Sequence, residues 1–160
     1  MSNIYIVGAK RTPFGAFGGI LKHLSPTELG VISSKAAMEQ AKLTNRPELI
    51  DAVYFGNVIQ CGNDAAYLSR HIGLMCGVRV DSTALTINRL CGSGFETVIQ
   101  GAQAIRLGEA SITVCGGTES MSRAPLLIAG EKARFGVNLG EGLKADDALW
   151  SGLTDAYGEY

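Results

Sequence analysis

Residues 88–98 read NRLCGSGFETV. A short stretch that reads as a strand, Leu85 to Asn88, leads through Arg89 and Leu90 to a cysteine and then into Gly-Ser-Gly. From Phe95 the period changes. Phe95, Val98, Ile99, Ala102 and Ile105 recur at spacings of three and four, and Gly108 closes the run. The segment therefore reads as strand, tight turn, helix. Cys91 stands at the C-terminal end of the strand, where the unpaired N–H groups of the first helical turn point outward.

Two readings of Cys91 follow: a small apolar side chain buried at a strand end, or a nucleophile. A helix N-terminus stabilises an anion by roughly 0.3–2 kcal/mol, which primes a thiol without fully activating it. A nucleophile of this kind needs a base, typically histidine. The chain has two. His23 sits in a loop beside Lys22 and reads as solvated. His71 lies between apolar residues of a short helix and reads as helix packing. Cys61, in the turn CGND, Cys76, on a helix face, and Cys115, at a strand end, read as structural. Alternative motifs fail on inspection. A nucleophile elbow needs glycine two residues either side of the nucleophile, where this chain has Arg89 and Ser93. Gly92-Ser93-Gly94 leads to Thr97 and not to the third glycine of a dinucleotide fingerprint.

Outward from this stretch the same alternation continues. Residues 4–7, 53–59, 85–88 and 112–115 read as strands. Residues 25–43 read as a helix, opened by Ser25, Pro26 and Glu28 as a capping box with proline at its first position. Asp64 opens a second helix carrying Leu68, Ile72 and Met75, which ends near Gly77. The order β-α-β-α-β-α-β predicts an α/β fold with a mainly parallel, mixed sheet. In such sheets function gathers at the C-terminal strand ends. Beyond residue 123 the chain is glycine-rich, with short apolar pieces (LLI, ALW) and no clear period. That division predicts a first domain over 1–120 and the opening of an irregular loop domain over 121–160.

The totals are those of a globular protein: 160 residues, 46% apolar, 18% charged, net charge −1. With no basic block, binding to nucleic acid through a positive field is not expected. No apolar run approaches the ~18 residues of a membrane span. The N-terminal MSNIYIVGAKRTPFG shows neither a secretory nor an Arg/Ser-rich pattern. The four cysteines are at least 15 residues apart, which disfavours a zinc site. They read as reduced thiols of an intracellular compartment.

INRLCGSGFETVIQGAQAI (87–105) resembles the acyl-enzyme signature of the thiolases. AKRTPFGAFGG (9–19) and CGGTESMSRAP (115–125) are similar to two further thiolase segments, and GNVIQ (56–60), YLSRHIGL (67–74) and LWSGLTD (149–155) also fit. The resemblance is nearest to 3-ketoacyl-CoA thiolases of mitochondrial type, with acetoacetyl-CoA thiolases second. It implies that Cys91 attacks the keto carbon of a 3-ketoacyl-CoA and carries the acyl group as a thioester. The Cys91 backbone N–H would serve an oxyanion hole. Coenzyme A is implied as co-substrate, with no bound cofactor and no metal. Leu153 matches a loop position near the CoA arm.

Thiolases are longer, with two similar halves. The activating histidine and a second cysteine come from the second half. The resemblance thus implies an N-terminal half-domain, working in the full-length form as a homodimer or tetramer, in bacterial cytoplasm or mitochondrial matrix. The alternatives are a catalytically silent half that serves as an assembly module, and an acetoacetyl-CoA-specific acetyltransferase. A decarboxylating condensing enzyme is disfavoured by GGTESMS together with AKRTPFG.

Overall fold

A computed structural model of the chain describes residues 3–154. Three parallel strands form its main sheet: β1 (Ala52–Gly56), β2 (Thr83–Ile87) and β3 (Thr113–Gly117), in the order β2-β1-β3. The register sets Gly56 against both Ile87 and Gly117, so the three strands end level with one another. Three helices complete the unit: α1 (Pro26–Gln40), α2 (Leu68–Met75) and α3 (Ser93–Leu107). As the central strand, β1 is buried along its whole length, as expected of a parallel strand covered on both faces. Its alternation divides the core. Val53 and Phe55 pack with Val31 and Met38 of α1 and Leu68 and Ile72 of α2. Ala52 and Tyr54 face the other way, toward Ala104 of α3.

The helix signals at Ser25, Glu28 and Gly108 act as the sequence predicts, and the one at Asp64 does not. Ser25 Oγ accepts from the Glu28 N–H at 3.1 Å, and Glu28 Oε2 accepts from the Ser25 N–H at 2.7 Å. Gly108 ends α3 in the left-handed conformation at φ 75°. α2 is preceded by a single 3-10 turn, Ala65–Tyr67, and Asp64 makes no side-chain cap there.

Three expectations need correction. Residues 4–7 form no strand, and Tyr5, Ile6 and Val7 are exposed. Their β propensity is real, but a strand needs a partner edge, and among the described residues none pairs with this segment. The adjoining Gly8 instead packs on α1, where an added Cβ would meet the Ala37 carbonyl oxygen. His71 is exposed and not packed. The apolar stripe of α3 also faces outward: Phe95 is 77% exposed, and Val98 and Ile99 are nearly half exposed. Ser93, Thr97, Gly101 and Ala104 turn to the sheet instead. Small residues win that face because the helix lies so close. A Cβ on Gly101 would stand 2.5 Å from Cys115 Sγ, and one on Gly56 would stand 2.6 Å from Ser93 Cβ. The fully buried Thr97 donates from Oγ1 to the Gly116 carbonyl at 3.1 Å, tying helix to strand.

Past β3, the pieces LLI and ALW acquire structure. β4 (Leu126–Ile128) pairs antiparallel with β5 (Ala145–Asp147), with a short helix α4 (Gly130–Phe135) between them. Asp147 Oδ1 then accepts from the Leu149 N–H at 2.8 Å and opens α5 (Ala148–Leu153). The last positions of the expected loop domain, 155–160, lie outside the described residues.

Candidate active site

The level C-terminal ends of β1, β2 and β3 each lead into a loop, and the three loops meet in one cleft of about 370 Å³. Asn57, Val58 and Ile59 follow β1. Leu90, Cys91 and Gly94 follow β2. Thr118, Glu119 and Met121 follow β3, and Gly152 and Leu153 of α5 close one side. Cys91 and Leu153, 62 positions apart in sequence, thus line the same cleft.

Of the four cysteines only Cys91 is exposed. Cys61 is buried and donates from Sγ to the Ile59 carbonyl at 3.2 Å. Burial pushes the thiols of Cys61, Cys76 and Cys115 up, away from the reactive thiolate form. The exposure of Cys91 itself runs against its reading as a buried strand-end thiol.

The turn that presents Cys91 is held by side chains. Leu90 has φ 50°, in the left-handed region, which costs a non-glycine residue about 1–2 kcal/mol. Two clamps hold it there. Asn88 Oδ1 accepts from the Leu90 N–H at 3.1 Å. Ser93 Oγ accepts from the Arg89 N–H at 2.8 Å and donates to the Leu90 carbonyl at 2.6 Å. Gly92 is the N-cap of α3, and no side chain caps that helix end. Cys91 thus immediately precedes an uncapped helix N-terminus, a position that favours negative charge. Across the turn, Arg89 pairs with Glu96 at 3.2 Å, a largely exposed contact that adds little.

Glu119 went unremarked in the sequence beyond its place in GGTESMS. It is half-buried and lies within the cleft lining. Its Oε2 accepts from the Val58 N–H at 2.9 Å, and its Oε1 accepts from Asn57 Nδ2 at 3.0 Å and the Ile59 N–H at 3.2 Å. Burial raises its carboxyl above the usual value, and these hydrogen bonds pull the other way. No periodicity signals such a residue, because its partners, two backbone N–H groups and the Asn57 side-chain amide, lie some sixty positions earlier. Neither histidine joins the cleft lining. Both are exposed, and the His23 carbonyl accepts from Arg123 at 3.3 Å. Among the described residues no group of three or more His, Cys, Asp or Glu is gathered to hold a metal ion, and no helix is long and apolar enough to cross a membrane.

Comparison with known proteins bears on the family and the fold. The chain is 48% identical over 157 residues to human mitochondrial 3-ketoacyl-CoA thiolase, matching 98% of itself and 38% of that protein. It is 37% identical over 161 residues to an acetyl-CoA acetyltransferase of Syntrophomonas wolfei, over 39% of that protein. Among solved structures it matches human mitochondrial 3-ketoacyl-CoA thiolase in complex with CoA at a TM-score of 0.89 and 49% identity, over 96% of this chain and 38% of that one. The chain thus spans well under half the length of these relatives, and its α/β unit with a parallel sheet is the fold of their N-terminal portion. Residues 4–160 match the family described as thiolase, N-terminal domain, and the chain belongs to that family.

Proposed function

We propose that this chain carries the acyl-accepting cysteine of a thiolase. Cys91 Sγ, as thiolate, adds to the keto carbon of a 3-ketoacyl-CoA. The bond between that carbon and the adjacent methylene then breaks. The two-carbon piece leaves as the enolate of acetyl-CoA and takes up a proton, and the acyl group stays on Sγ as a thioester. The sulfur of free coenzyme A next adds to that thioester, and Cys91 leaves as thiolate. Run backward, the sequence is a Claisen condensation. Cysteine suits the task because its thioester hands the acyl group on, which splits one hard step into two easier ones.

The observation that carries this reading is the exposure of Cys91 in an apolar cleft at the N-terminus of α3, while the other three thiols are withdrawn. The Cys91 N–H is our candidate for one oxyanion donor. Leu153 is our candidate for contact with the CoA arm. A helix N-terminus contributes only ~0.3–2 kcal/mol to an anion, so we assign the base to the part of a thiolase that this chain does not match. We further take residues 1–120 as a half-domain and 121–160 as the opening of a loop domain. The working form is a homodimer or tetramer in mitochondrial matrix or bacterial cytoplasm. The outward stripe of Phe95, Val98 and Ile99 favours one additional role, packing against another folded unit. The reading is tested by acyl transfer from acetoacetyl-CoA to Cys91, with Cys91→Ala as control.

A further inference from the structure

The two sides of the cleft rest on separate supports. The Cys91 turn is held by Asn88 and Ser93. The Val58–Ile59 side is held by Glu119, whose two oxygens take three donors from residues 57–59. Asn57 Nδ2 also donates to the Thr118 carbonyl at 3.0 Å, and the Thr118 N–H donates to the Gly56 carbonyl at 2.9 Å. The loops after β1 and β3 are thus clasped side by side, with Glu119 as the charged member. The clasp reaches further. Ile59 is 8% exposed and lies under α5, where a Cβ on Gly152 would stand 3.8 Å from Ile59 Cγ1. The next residue, Leu153, lines the cleft.

We propose that Glu119 is a positioning residue: through Val58 and Ile59 it fixes the apolar wall that ends at Leu153, and so sets how tightly the aliphatic part of a thioester substrate is held, without acting on the Cys91 sulfur. That the occupant is a thioester substrate rests on the proposed function; the control of the wall does not. A half-buried carboxylate is retained only where its oxygens are satisfied. In Glu119→Gln one acceptor oxygen becomes an NH₂ group facing N–H donors, so the wall loses its anchor while the side-chain volume is kept.

The test compares methyl and decyl methanethiosulfonate on the intact chain. In each reaction Cys91 Sγ displaces methanesulfinate and forms a mixed disulfide, which is read on the Cys91 peptide. For the decyl reagent, Glu119→Gln raises the half-saturating concentration about tenfold, the scale of one lost hydrogen bond to a charged group. The rate with the methyl reagent stays unchanged. Equal slowing of both reagents, or an unchanged decyl half-saturation, overturns the proposal. Should Glu119→Gln not fold, Ile59→Ala removes the wall and leaves the clasp; it carries the same expectation, and equal or absent effects there overturn the proposal too. Failure of acetyl transfer to Cys91 would overturn the proposed function and leave this comparison standing.

Discussion

Removing the Ser93 hydroxyl tests how the Cys91 turn is built. Ser93 is 5% exposed, and its Oγ makes two hydrogen bonds, at 2.8 Å from the Arg89 N–H and at 2.6 Å to the Leu90 carbonyl. Each contributes about 1 kcal/mol net. Arg89 is exposed, so water can satisfy its freed N–H, and no full desolvation penalty adds to the sum. The two bonds also oppose the ~1–2 kcal/mol strain stored at left-handed Leu90. Ser93→Ala is therefore expected to cost about 2 kcal/mol. At a urea slope of roughly 2 kcal/mol per molar, that lowers the unfolding midpoint by about 1 M with the slope unchanged. Because the freed turn misaims the sulfur, acyl transfer to Cys91 should fall by up to about a hundredfold. A loss of stability below about 0.5 kcal/mol, the ordinary range for an uninvolved surface change, would refute this account of the turn.

Two further outcomes are expected. Asp51 Oδ2 accepts from the Ser111 and Ile112 N–H groups at 2.7 and 3.1 Å, and these bonds, with Arg79, hold its carboxyl below the ordinary 3.8. A depressed folded value means that its stabilisation is fully present above about pH 4 and is lost as pH falls through the lowered value. The stability gap between wild type and Asp51→Asn should stay constant from neutral pH to about pH 4 and close below it; a gap that widens in acid would contradict the assignment. The second outcome concerns the outward stripe of α3. The chain should self-associate in light scattering, and Phe95→Glu with Ile99→Glu should reduce that association. A wild-type chain that is monomeric at high concentration would count against this face as a packing surface.

How much of this was legible in sequence depended on whether the signal was local. Ser25 and Glu28 lie three residues apart and cap α1 as read, and Gly108 ends α3 as read. The three strands, the parallel sheet and the position of Cys91 at a strand end also followed from period and punctuation. The failures were of three kinds. Residues 4–7 carry strand propensity, but pairing depends on an edge the sequence does not display. The stripe of α3 has the right period, yet apolar spacing alone does not say which face is covered. The deciding residues were Gly56 and Gly101, which bring the small face of the helix onto the sheet. Glu119 was invisible for a third reason: its partners at 57–59 meet it only after the chain has folded back on itself.

The most direct measurement of the central claim is peptide mass spectrometry after acid quench of the protein with acetoacetyl-CoA. It is made with residues 1–160 joined to the C-terminal portion that the thiolase relatives add. The account predicts one acetyl group on the Cys91 peptide and none on any peptide of the Cys91→Ala variant. Acetyl on Cys61, Cys76 or Cys115, or acetylation that survives Cys91→Ala, would contradict it.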